Sequence, residues 1–129
     1  MTTKLSLIIE SDIKPQKERE LKNIVHELCD FVERTEPGTL RYDWFIRSNS
    51  QSVILLEEYA SIEAAMFHGS NYAPYREALD AVRIVKRRVI CSAVDDATKG
   101  RLKSMAPEFY EPFKLSSAKS SGSPEGKAE

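Results

Sequence analysis

Little in this chain marks the commonest kinds of protein chemistry. Its 129 residues hold two cysteines, Cys29 and Cys91. Neither belongs to a CxxC pair or has a histidine at metal-ligand spacing, which excludes a disulfide scaffold and a zinc module. Both are expected to be reduced, partly buried thiols. None of the five glycines sits in a phosphate-cradling loop or a nucleophile elbow, which argues against nucleotide-dependent, kinase and hydrolase chemistry. No apolar run approaches the roughly 18 residues that cross a bilayer. The apolar patch in MTTKLSLIIESD is too short for a secretory signal, so a cytoplasmic chain with no membrane partner is expected. Neither sign of charge dominates, with 19 basic residues against 20 acidic ones, and no nucleic-acid partner is implied. The lone KRR at 86–88 reads as a solvated or ion-paired strand edge.

What remains is the material of one domain, with a hydrophobic fraction of 41% to build a core. In KLSLIIE, residues 4–10, Leu5, Leu7 and Ile9 alternate as in a strand, and SDIKP breaks the pattern. From Pro15 to Thr35, Leu21, Ile24, Val25, Leu28, Phe31 and Val32 form one helical stripe. Glu36-Pro37-Gly38 ends it. TLRYDWFIR, 39–47, alternates again, with Leu40, Tyr42, Trp44 and Ile46 on one face. A polar turn leads to SVILLEEYA, 52–60, whose continuous apolar run predicts a central strand covered on both sides.

Ser61 is placed to cap a helix carrying Ile62, Ala65, Met66 and Gly69 on one stripe, with His68 at the stripe's edge. Asn71 is a candidate cap, and Pro74 the first turn, of a second helical piece with Tyr75, Leu79 and Val82. RIVKRRVICSAV, 83–94, reads as a strand. The order is β-α-β-β-α-β, the ferredoxin-like split βαβ of the α+β class: an antiparallel sheet with its helices on one face. The uncovered face predicts a homodimer.

Glu57 and Glu58 fall on opposite strand faces, so one turns inward and needs a partner. Arg41, Arg47, Arg87 and Arg88 are candidates for a structural ion pair. After the domain at 1–95, an arm at 96–115 carries three aromatics in PEFYEPFKL that are too costly to leave in water, so the arm is expected to pack on the domain or on its dimer mate. Residues 116–129 have the composition of a disordered tail.

Three segments carry a resemblance to a known family. EPGTLRYDWF (36–45), LLEEYAS (55–61) and IEAAMFHGSNYAPYREAL (62–79) resemble the second strand, third strand and following helix of the antibiotic biosynthesis monooxygenase domain, a branch of the dimeric α+β barrel superfamily. The resemblance covers about residues 4–94. It implies a small dimeric fold that often works without flavin, haem or metal, and in several members oxidises phenolic or quinol-type substrates with molecular oxygen. Other relatives degrade haem or have no known activity. The haem-degrading pattern includes an Asn in the first strand, which KLSLIIE lacks. Tyr59 stands where many members have Trp. On this resemblance His68 and Tyr59 are the catalytic candidates. Tyr42, Trp44, Asn71 and Tyr72 are candidates for enclosing a small-molecule substrate, with no cofactor or metal. An imidazole ordinarily titrates near neutral pH, which suits it to proton transfer. The alternative is a non-catalytic small-molecule-binding or structural dimer of the same fold, which predicts a cleft filled by its own side chains, and a third reading is a haem-degrading or isomerase relative.

Overall fold

The structure, a computed structural model, describes residues 3–116. The expected tail, apart from Ser116, lies outside them. Strand β1 (Leu5–Ile13) leads into helix α1 (Glu18–Thr35), then β2 (Thr39–Ile46), β3 (Ser52–Tyr59), α2 (Ile62–Asn71), α3 (Ala73–Val82) and β4 (Arg83–Cys91). A short helix α4 (Asp96–Arg101), a 3-10 turn (Lys103–Met105) and a strand β5 (Glu108–Tyr110) complete the described chain. The sheet runs β2-β3-β1-β4-β5, antiparallel except that β5 pairs parallel with β4. It is open, and in the single chain it does not close into a barrel.

Strand β1 extends three residues past the break that SDI suggests. Ser11 and Asp12 pair with Val53 and Ser52 on one side and with Val85 and Ile84 on the other. A central strand is held by ladder hydrogen bonds on both edges, which outweighs the weak β-propensity of Ser and Asp. The buried side chains of β1 and β3 (Leu5, Leu7, Ile9, Val53, Leu55, Tyr59) all face the helices. Helix α1 lays Leu21, Leu28 and Val32 against them, with Leu79 and Val82 of α3 beside it.

Among the described residues, no helix covers the opposite face. Strand β3 lies inside the sheet but is covered on one side only. Ile54 of β3, Phe45 of β2 and Ile84 of β4 are 40, 51 and 52% exposed there. The arm lies against the domain in part: Leu102, Met105 and Phe109 pack on the Leu5–Leu7–Ile90 cluster. Tyr110 is half exposed and Phe113 fully exposed, so among the described residues only part of the arm's aromatic surface is buried. Cys91 is likewise exposed rather than partly buried, because it pairs with Tyr110 at the outer end of the sheet.

The turn after α1 sets how closely α2 approaches. A Cβ added at Gly38 would lie 2.7 Å from the Ala64 Cβ, closer than methyl groups tolerate. The absent side chain lets α2 settle over the turn, where Ala60 N–H donates to Gly38 O at 2.9 Å. Gly38→Ala is therefore expected to destabilise the fold by about 1–3 kcal/mol, a cost typical of overpacking, visible as a lower thermal midpoint.

Candidate active site

Helix α2 does not bury the stripe its apolar residues suggest. Met66 is exposed, while His68 turns into the protein and is 93% buried, with 7% of its surface exposed. Ser61 caps the helix, accepting from Ala64 N–H, and this fixes the rotation that points His68 toward β2 and β3. Its ring stacks on Tyr72, 4.9 Å between centroids and 3° between planes. Tyr42 and Tyr59 close two more sides at 5.0 and 5.6 Å.

Behind the ring is Glu36, the glutamate of the Glu-Pro-Gly turn. Its side chain is 1% exposed. Thr39 donates to Oε1 at 2.6 Å and Asn71 Nδ2 donates to Oε2 at 2.8 Å. His68 Nδ1 lies 2.9 and 3.0 Å from the two oxygens. Oxygens that accept from Thr39 and Asn71 accept from the imidazole also, so Nδ1 carries the ring proton. Nε2 has no hydrogen bond among the described residues and is the nitrogen free to take a proton. Glu36 also caps the negative end of α1, an unfavourable place for a carboxylate, and these three donors offset it.

Asn71 thus has a different role from the cap expected of it. It is the last residue of α2, and Tyr72 occupies the cap position of α3 without a side-chain bond. The two helices are consecutive, so no free loop residue needs Asn71. Its amide instead bridges Glu36 and Thr35.

In front of His68 lies a cavity of about 390 Å3, within the range of small-molecule sites. Tyr42, Tyr59, His68 and Tyr72 line it, together with aliphatic side chains of β1 and Leu102 and Met105 of the arm. Trp44 does not. It packs among Leu28, Val53 and Val82 in the core, with its indole beneath the Arg83 guanidinium at 5.5 Å. The cleft between helices and sheet is open, contrary to what a filled, non-catalytic fold predicts.

Glu57 is the carboxylate that turns inward, and it too lines the cavity. None of the four arginines proposed as its partner reaches it. Arg41 pairs with Asp43, Arg87 with Glu10 and Glu108, and Arg88 bonds Met105 O, because β2 and β4 turn most of these side chains to the other face. Its hydrogen bond comes from the Tyr59 hydroxyl. Burial pushes the Glu57 carboxyl above the usual carboxylate range, opposed by His68, Tyr59 and Arg83. Burial first and then Glu57 push the Tyr59 phenol far up, and burial also raises Tyr42. The site thus combines an oriented imidazole, a proton-holding Glu57–Tyr59 pair and an apolar aromatic enclosure. Among the described residues, no three His, Cys, Asp or Glu side chains converge as metal ligands.

Sequence reasoning passed over Glu36 and Arg83. The signal for Glu36 was available: a carboxylate at a helix C-terminus is misplaced electrostatically, and so calls for donors from elsewhere.

The chain thus combines a ferredoxin-like α+β fold with an aromatic-lined cavity on its helix side. A family model for antibiotic biosynthesis monooxygenase matches residues 5–80, and the chain belongs to that family. No curated protein matches it. Among solved structures, MupZ from Pseudomonas fluorescens superposes with a TM-score of 0.80 at 19% identity, covering 91% of this chain and 96% of MupZ. SnoaB, a cofactor-independent oxygenase from Streptomyces nogalater, superposes with a TM-score of 0.58 at 14% identity, covering 73% of this chain and 96% of SnoaB. Identities this low establish the fold alone. The MupZ superposition covers more of this chain than the residues that the family model matches. Among the described residues, no helix is long and apolar enough to cross a membrane.

Proposed function

We propose that this protein is a cofactor-independent monooxygenase acting on a small phenolic or quinol-like aromatic compound. The observation that carries this reading is His68, whose Nδ1 is fixed on Glu36 while Nε2 is left free beside an apolar cavity. Nε2 removes a proton from the substrate's hydroxyl or activated methylene group. The resulting electron-rich anion reduces oxygen directly. One oxygen atom bonds to carbon and the other leaves as water, so that a CH2 group and O2 become a carbonyl and H2O. Tyr72, Tyr42 and Tyr59 hold the ring system, and Glu57 with Tyr59 returns protons to the departing oxygen. SnoaB, a cofactor-independent oxygenase with the same fold, supports this reading by analogy.

The test is oxygen uptake by the purified protein with hydroxyanthrones and related quinols, without added flavin or metal. The expected result is one O2 consumed per substrate, with water rather than hydrogen peroxide as the second product. Peroxide formed in equal amount would replace oxygenation by simple oxidation. Retention of haemin with a shifted Soret band would favour the haem-degrading alternative.

The same reading makes the protein a cytoplasmic homodimer. The exposed Phe45, Ile54 and Ile84 on the helix-free face are the surface such an interface covers. The expected outcome is a dimeric mass by light scattering that falls to the monomer in Ile54→Lys. A monomeric native protein would sink this assignment.

A further inference from the structure

Arg83 opens β4 on the helix side of the sheet and lines the cavity. Its residue is 92% buried, with 8% of its surface exposed. Among the described residues, neither its Nε nor its Nη1 has a hydrogen-bond partner. Glu57 and Asp80 are the nearest carboxylates to influence it, yet neither forms an ion pair with it. Its guanidinium carbon lies 5.5 Å over the Trp44 ring, a cation–π contact. A buried guanidinium without an anion is a costly arrangement, and its planar fork matches the two oxygens of a carboxylate.

The other three arginines of the cavity wall are engaged. Arg76 donates to Gly69 O at 2.8 Å and lies over Tyr72, Arg88 donates to Met105 O at 3.3 Å, and Arg101 pairs with Glu63 at 3.2 Å. They nonetheless add positive charge to a lumen whose one lining carboxylate, Glu57, is driven toward its neutral form by burial. The walls otherwise are aliphatic and aromatic.

Resting on the reading of this cavity as the substrate site, we propose that its ligand is an organic acid, with a carboxylate seated on Arg83 and an apolar body lying along β1 toward His68. The carboxylate anchors one end of the molecule, so the reacting carbon is presented to Nε2 by fixed geometry rather than by apolar contact alone.

The probes are 4-cyclohexylbutanoate and its amide, which have the same shape and differ in charge. Neither absorbs in the near ultraviolet. The emission of Trp44, the chain's single tryptophan, lies directly beneath Arg83 and reports binding. The expected result is at least about tenfold tighter binding of the acid, with that preference lost in Arg83→Met and partly kept in Arg83→Lys. A thermal midpoint of Arg83→Met equal to or above the native value is also expected, since it removes an unpaired buried charge. Equal binding of acid and amide to the native protein overturns the proposal while leaving the cavity as a ligand site. Binding of neither, by emission and by calorimetry, overturns the cavity reading along with it. An acid preference that survives in Arg83→Met, or a large fall in that variant's midpoint, removes Arg83 from the role.

Discussion

Glu36→Gln is expected to lower turnover by roughly 10²–10⁴-fold, the usual worth of a positioned proton-transfer group, although Glu36 never touches the cavity. The carboxylate accepts from Thr39, Asn71 and His68 at once. A glutamine in its place presents an NH2 group to a set of donors. Either Asn71 or His68 Nδ1 then faces a donor, and the imidazole is driven to put its proton on Nε2, the nitrogen that must be bare to act as a base. His68→Ala should fall to the same level, and the double variant no further, because the two residues act as one unit. Activities that multiply rather than saturate would show two independent roles.

A readout independent of substrate is available in the 15N spectrum of His68, where the native ring should show a protonated Nδ1 and the variant a protonated Nε2. The variant also leaves a buried donor without an acceptor, costing about 1–3 kcal/mol, so activities need comparison well below its lowered thermal midpoint.

How far the sequence leads to this site depends on the range of the interactions involved. Period-two alternation located β2 and a continuous apolar run located β3, each within a residue, and Ser61 and Pro74 located the starts of α2 and α3, because each of those signals acts within one turn or one strand. The rotation of α2 was not legible. Its apolar stripe nominates Met66, whereas the Glu36 carboxylate, 32 residues away, draws His68 inward instead. Trp44 and Tyr42 share a strand face in sequence, yet only Tyr42 lies under α2, while Trp44 sits under α1 and α3. Which of two neighbours on a strand meets a cavity is decided by where a helix ends, and no local pattern carries that. Strand β5 was hidden for a similar reason: three residues, Glu-Phe-Tyr, become a strand only because β4 offers a free edge beside them.

Glu57→Gln is expected to stabilise the protein at neutral pH, by about 1–3 kcal/mol, the penalty attached to a buried polar group without a full complement of partners. Burial raises the Glu57 carboxyl in the folded state above its value in the unfolded chain. Between those two values the folded protein holds the proton more tightly than the unfolded one, so stability falls as pH rises out of the ordinary carboxylate range through the folded value. Glutamine keeps an oxygen for the Tyr59 hydroxyl and has no proton to lose. The midpoint difference between variant and native protein should therefore be near zero at about pH 4, grow as pH rises, and level off once Glu57 is fully ionised.

The sign of the difference carries a second consequence, since Arg83 lies close enough to Glu57 to stabilise its charge. If the two compensated one another within the fold, removing the glutamate would strand the cation. Glu57→Gln would then destabilise at pH 7. A stabilised variant at pH 7 instead means that Glu57 is not the group that satisfies Arg83, which leaves the guanidinium for an anion from outside the chain.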